Sequence, residues 1–388
     1  MPNYATLADK IETETAMTFV DRVPEATLYQ VLARTTANFP NRNAISFQIK
    51  SGVKDKAETL SWSGLKGRVT QAANVFRGLG VGEKDVVAYL LPNCNEAVVS
   101  LLGGSTAGIV NPINPTIEDS QIASILRETG AKVVVTLKSF PKTDVAQKVA
   151  NAVKMAPNVE TVLEVDLARY LTPPLSWIVP LIRPKVEIGH SAKVLDFNAE
   201  MNKANSSSLD FEEAADDRVA SYFHTGGTTG MPKVAQHKFS GMIYQGWCAQ
   251  EMLFTEEDVL ICPLPMFHVF AAYPVLMACL ASGAHMVMPT PQGYRGDGVF
   301  DNYWKLLERW DVTFMVTVPT AVSALMQRPV NADVSKLKYV LCGSAPLPVE
   351  LAKRFEESAG VKILEGYGMT EATCLVSINP PHGERKMG

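Results

Sequence analysis

Short apolar runs, each stopped by a turn-forming residue, alternate with segments of helical period along most of this chain. Asp85-Val86-Val87-Ala88-Tyr89-Leu90-Leu91 ends at Pro92, and Ala131 to Leu137 runs to the turn at Ser139. Thr313 to Val318 ends at Pro319, and Lys338 to Leu341 runs into Gly343. Strands with so little alternation need cover on both faces, as in a parallel sheet between layers of helices. The intervening patterns supply those helices. Val145, Val149, Ala152 and Val153 share one face, while Pro348, Leu351, Ala352, Phe355 and Gly360 mark a second helix with both ends signalled. The alternation predicts a doubly wound α/β fold. A chain of 388 residues is too long for one ordinary core. Two α/β subdomains are expected, 1–217 with an N-terminal extension and 218–388, with the acidic, serine-bearing stretch 200–217 as a linker or exposed loop.

Charge narrows the partners. The net charge is −4 and no cluster of lysine and arginine stands out, so nucleic acid is not an expected partner. Met1 to Phe19 carries acidic residues and no apolar core, which argues against a secretory signal and for a cytoplasmic protein. Cys94, Cys248, Cys262, Cys279, Cys342 and Cys374 are scattered without a C-x-x-C pair, as suits buried thiols in a reducing compartment. Val259 to Met288 is apolar enough to raise the question of a membrane span, but Pro263, Pro265, His268, Pro274 and His285 interrupt it. A buried helix between two buried strands is expected there. Leu171 to Ile182 contains Trp177 and three prolines and is followed by Arg183 and Lys185. It reads either as a packed surface excursion or as a peripheral membrane contact.

Residues 224–233 read His-Thr-Gly-Gly-Thr-Thr-Gly-Met-Pro-Lys. Gly226, Gly227 and Gly230 let the backbone approach an anion and turn N–H groups toward it. Thr225, Thr228 and Thr229 add hydroxyl donors, and Lys233 offers a mobile charge for phosphate oxygens. The alternative is a flexible surface turn. The strand-like Val219 to Phe223 puts the loop at a sheet edge. Met231 and Pro232 separate Gly230 from Lys233, which breaks the spacing of a P-loop NTPase, and the dinucleotide fingerprint lacks its first glycine.

Three further segments carry chemistry. In Gly366-Tyr367-Gly368-Met369-Thr370-Glu371 the glycines are read as a turn after the strand-like Val361 to Leu364. Tyr367 offers an aromatic face, and Glu371 a carboxylate suited to magnesium; the competing reading makes Thr370 a helix cap. Phe267-His268 lies in an aromatic loop, where a lone histidine serves either structure or catalysis. Gly343-Ser344-Ala345-Pro346 follows a strand, and its small residues leave room for a planar group or for close packing.

Taken in order, these segments resemble the adenylate-forming superfamily of acyl-CoA synthetases, luciferases and peptide-synthetase adenylation domains. The likeness runs from Leu60-Ser61-Trp62 and Leu79 to Asp85 through Leu91-Pro92-Asn93 and Pro112-Ile113-Asn114-Pro115 to Thr370-Glu371, and its style is that of the AMP-forming fatty acyl-CoA synthetases. It implies activation of a carboxylic acid by ATP to an acyl-adenylate, then transfer to coenzyme A with release of AMP. Thr225 to Gly230 and Lys233 would cradle the β- and γ-phosphates, Glu371 would bind Mg2+, and Thr370 would lie near the α-phosphate. Gly366, Tyr367, Gly368 and Met369 would flank adenine, with Gly343, Ser344, Ala345 and Pro346 along the base and acyl pocket. Phe267 and His268 would stand at the carboxylate entrance. Catalysis would fall to Thr370, Glu371, Lys233 and His268.

Two departures bear on phosphate affinity: Gly226 stands where serine is usual, and Val234 where glycine is usual. Chains of this kind continue with a barrel segment, a ribose-binding aspartate, a hinge and a mobile domain bearing a catalytic lysine. The resemblance therefore implies that these residues are a large N-terminal domain, inactive or weakly active alone. Competing expectations are an adenylating domain that passes its acyl group to a carrier protein or to luciferase-type oxidation, and a non-catalytic module that holds nucleotide or acyl chain.

Overall fold

A computed structural model describes residues 4–214, 216–225 and 233–387. Among them the strands are, in chain order, β1 (Asn43–Gln48), β2 (Ala57–Ser61), β3 (Val86–Leu90), β4 (Ile109–Pro112), β5 (Ala131–Leu137), β6 (Thr161–Val165), β7 (Lys193–Asp196), β8 (Val219–His224), β9 (Val234–Lys238), β10 (Val259–Ile261), β11 (His285–Pro289), β12 (Phe314–Thr317), β13 (Tyr339–Cys342), β14 (Lys362–Met369) and β15 (Cys374–Ile378). They form a seven-stranded sheet ordered β7-β6-β5-β3-β4-β8-β9 and an eight-stranded sheet ordered β15-β14-β13-β12-β10-β11-β1-β2. Interior pairings in both are parallel, and antiparallel pairs occur only at edges, as β8 with β9, β1 with β2 and β14 with β15. The apolar runs behave as expected: every residue of β3, β11 and β12 is buried.

The sheets do not divide at 217/218. β1 and β2 join the later sheet, where Ile45 to Gln48 run beside Met286 to Pro289, while β8 and β9 close the earlier one. Sheet membership is settled by which edge buries a strand's apolar side chains, and Ile45 and Phe47 are fully buried where they lie. Of the two readings of 200–217, the exposed loop holds and the free linker does not. A helix over Phe197–Lys203 enters it, and Asn74 then holds the carbonyls of Asn205 and Ser208 and the N–H of Asp210.

The interrupted segment from Val259 to Met288 folds as expected, with parallel β10 and β11 around a buried helical passage, Ala271–Met277 and Ala278–Ser282. No helix among the described residues is long and apolar enough to cross a membrane. Leu171 to Ile182 forms an excursion on the surface, with Val179 buried and Trp177, Ile178, Leu181 and Ile182 exposed. All six cysteines are free thiols.

Candidate functional site

β8 and β9, which flank the glycine- and threonine-rich segment, pair antiparallel at the edge of the seven-stranded sheet. Thr225 N–H donates to the Lys233 carbonyl at 2.9 Å, closing the base of the loop. Thr225 is half-buried and Lys233 exposed. Gly226, Gly227, Thr228, Thr229 and Gly230 lie outside the described residues. Just before the loop, His224 Nε2 accepts from Asn111 Nδ2 at 3.0 Å, and burial lowers its pKa to about 4, so the ring is neutral near pH 7.

In the other sheet, Gly366-Tyr367-Gly368-Met369 is strand, not turn: β14 runs through both glycines, and the chain reverses only at Thr370–Ala372. The glycines serve close approach. A Cβ on Gly368 would run into the carbonyl oxygen of Cys374 on β15, and one on Gly343 would stand 3.0 Å from the Gly366 oxygen and 3.3 Å from the Phe270 ring. The hairpin is also clamped from outside, because Gln245 donates to the Leu375 carbonyl at 3.0 Å and accepts from its N–H at 2.9 Å. Thr370 opens a single 3-10 turn behind Met369 and makes no side-chain cap, contrary to the capping alternative.

The two hairpins are tied together by a residue that sequence reasoning passed over. His237 on β9 is buried, with its Nε2 at 2.7 Å from the Thr370 carbonyl and its Nδ1 at 2.8 Å from the Tyr273 hydroxyl. A carbonyl can only accept, so Nε2 carries the proton and Nδ1 accepts from tyrosine. Burial lowers the His237 pKa, partly opposed by the Thr370 carbonyl and by Glu371, and keeps the ring neutral. A signal did exist: Gln236 and Lys238 are exposed on either side, and strand alternation then turns His237 inward.

Beside the tie lies a cavity of about 170 Å³. His268, Gly343, Ser344, Gly366, Gly368, Met369 and Thr370, all expected site residues, meet on its wall. Ala249, Met252, Leu253, Phe254 and Leu375 make the rest largely apolar. Cys248, Cys342 and Cys374 also face it, and burial holds their thiols at about 11, 12 and 12, protonated and inert. His268 Nδ1 accepts from the Phe270 N–H at 3.2 Å, which fixes the ring of this exposed residue and leaves Nε2 as its free nitrogen. Ser344 follows β13 with φ at 71°, at the C-terminal end of a parallel strand where open α/β sheets place ligands. Ala345, Pro346, Tyr367 and Glu371 are exposed, and Phe267 is half-buried. None of these five, nor Thr225 or Lys233, lines the cavity.

Residues 32–388 match a family model described as AMP-binding enzyme. The chain is 31% identical over 377 residues to a marinolic acid–CoA ligase of Pseudoalteromonas sp. (strain SANK 73390), covering 95% of the chain and 54% of that protein. It is 28% identical to a long-chain-fatty-acid–CoA ligase of Bacillus subtilis (strain 168), covering 94% and 64%. The chain thus spans between half and two-thirds of these relatives. Among solved structures, the anthranilate CoA ligase AuaEII in complex with anthranoyl-AMP superposes with a TM-score of 0.75 at 22% identity, over 92% of this chain and 63% of that one. ATP-bound MatB from Rhodopseudomonas palustris gives 0.74 at 23%, over 94% and 63%. At these identities the likeness is one of fold.

Proposed function

Since this chain belongs to the AMP-binding enzyme family, we propose that it provides the nucleotide- and acid-binding part of an AMP-forming carboxylate–CoA ligase acting on an apolar, fatty-type acid. One observation carries the reading: His237 fastens the Thr370 turn to β9, the strand that follows the glycine- and threonine-rich segment, and an apolar cavity opens on the same turn. The names of the two relatives, ligases of marinolic acid and of long-chain fatty acids, support it.

In the first step a carboxylate oxygen attacks the α-phosphorus of ATP, and the bond to the bridging oxygen breaks to release pyrophosphate. In the second, the coenzyme A thiol attacks the acyl carbon and expels AMP, giving up its proton. Chemistry of this kind depends on placement and charge compensation more than on a covalent catalyst. Lys233 and the threonine-rich loop would hold the outer phosphates, and Thr370 would face the α-phosphate. Tyr367, 61% exposed, has a free ring for adenine. The cavity would take the acyl tail, with His268 at the carboxylate end.

Glu371 fits a magnesium ion in donor type, being an exposed hard oxygen beside this turn. Among the described residues no group of three potential ligands gathers, so phosphate and water would complete the shell. The ion would neutralise charge on the phosphates. The test is pyrophosphate release across a panel of carboxylic acids of graded length and polarity. A preference for short, charged acids would overturn the substrate class, and acid-dependent release of orthophosphate in place of pyrophosphate would overturn the reaction.

A further inference from the structure

Where a helix would usually cover the crossover from β6 to β7, the chain instead forms a short 3-10 turn at Leu167–Tyr170, a one-turn helix at Leu175–Ile178 and a second 3-10 turn at Val179–Leu181. This excursion displays Trp177, Ile178, Leu181, Ile182 and Ile188 at 68%, 42%, 85%, 58% and 56% exposure. Isolated exposed apolar residues are ordinary, but a run of them within a dozen positions marks a contact surface. The segment is not loose. Val179 is buried beneath it, Arg183 pairs with Asp166 at 2.6 Å, Ser139 donates to the Pro184 carbonyl at 2.5 Å, and Gln147 bonds both the N–H and the carbonyl of Glu187. The fold therefore holds these apolar side chains out in water.

Charge indicates what covers them. The chain as a whole carries −4, yet residues 171–193 hold Lys185 and Lys193 against the single carboxylate of Glu187, the charge of Arg183 being met by Asp166. Neighbouring segments add more cations: Lys142 is exposed in the loop whose Ser139 grips Pro184, and the Lys154 side chain lies 3.3 Å from where a Cβ on Gly189 would stand. A Trp, Leu and Ile wedge on a segment that also carries exposed lysines suits a bilayer interface, where indole sits at headgroup depth and ammonium groups meet lipid phosphates. Five side chains are little beside the roughly 800 Å² per partner that a specific protein interface buries.

We propose that the excursion between β6 and β7 is a docking surface for an anionic lipid bilayer. Trp177 and Leu181 enter the interface while Lys142, Lys154, Lys185 and Lys193 lie against the headgroups. Binding is reversible, weakens as salt screens the lysines, and places the protein beside a membrane without crossing it.

The test is co-sedimentation of the full chain with phosphatidylcholine vesicles, with and without phosphatidylglycerol. The expected result is binding to the anionic vesicles only, reduced about tenfold by Leu181→Asp, and by Lys185→Glu at low salt. Tryptophan emission should shift to the blue on binding, and the shift should vanish in Trp177→Phe, which keeps Trp62, Trp247, Trp304 and Trp310. Equal sedimentation of wild type and Leu181→Asp would overturn the proposal, as would no binding to either vesicle. A wild-type dimer that Leu181→Asp converts to monomer would assign the surface to self-association instead. Vesicle binding needs no turnover, so its outcome is separate from that of the ligase reading.

Discussion

His237 donates from Nε2 to the Thr370 carbonyl at 2.7 Å while its Nδ1 accepts from the Tyr273 hydroxyl at 2.8 Å. This one side chain joins the edge of the seven-stranded sheet to the turn at the edge of the eight-stranded sheet. Thr370 and Glu371 are thereby referenced to β9, the strand that begins next to Lys233, with no ion pair between them. Burial favours the neutral ring, and in that ring the Thr370 carbonyl, which can only accept, selects the tautomer with the proton on Nε2.

His237→Ala is expected to lower kcat for pyrophosphate release about a hundredfold with little change in the KM for the acid, because a turn displaced by about an ångström loses that much. It takes one bond from the Thr370 carbonyl, which keeps the Thr373 N–H at 3.2 Å, and removes the imidazole acceptor of the buried Tyr273 hydroxyl, at a cost of about 1–3 kcal/mol in stability. His237→Gln, which can still donate, should recover part of the rate. Steady-state kinetics on both variants decide it. Equal losses in the two, tracking only their melting temperatures, would reduce His237 to a packing residue.

Glu371→Gln keeps the size and removes the charge. Pyrophosphate release is expected to fall about a hundredfold, and more magnesium should be needed for half-maximal rate. A magnesium titration at saturating ATP checks this. An unchanged titration curve would take the ion away from Glu371.

Ala249, 6% exposed, faces the cavity from the helix over Phe239–Met252. Ala249→Phe places a ring in a space of about 170 Å³ and should move preference toward shorter acids while the KM for ATP stays unchanged. Each methylene excluded should cost about 1–3 kcal/mol, so the profile shifts by degrees. A uniform loss for every acid would mean that the tail lies elsewhere.

His285, 7% exposed, bonds the Ser46 hydroxyl at 2.8 Å, and burial lowers its pKa from 6.5 to about 4. The unfolded chain binds this proton more readily, so the contribution is intact above pH 6.5 and is lost as pH falls from 6.5 to about 4. His224 acts in the same direction. The loss from His285 is at most about 3 kcal/mol. Urea midpoints between pH 7.5 and 5 should fall less steeply in His285→Gln than in wild type. Parallel slopes would show that this ring does not set the acid limit.

Local pattern by itself determined the doubly wound fold class. Runs such as Ala131–Leu137 cannot be solvated on either face, and the turn residue that ends each run sets its length, so β3, β5, β12 and β13 lie where the sequence put them. That His268, Gly343, Ser344 and Thr370 belong near one another was implied by the resemblance of their segments to a known family, and they meet on one cavity wall. Tertiary structure decided the rest, since it turns on contacts between residues far apart in the chain. β1 and β2 cross to the later sheet because an edge there buries Ile45 and Phe47, and β8 and β9 return to the earlier one. Gly366 and Gly368 read as a turn until β15 is seen to press on them from the other side. His237 became a site residue only when folding brought it 2.7 Å from a carbonyl 133 positions away, a partner that no local pattern encodes.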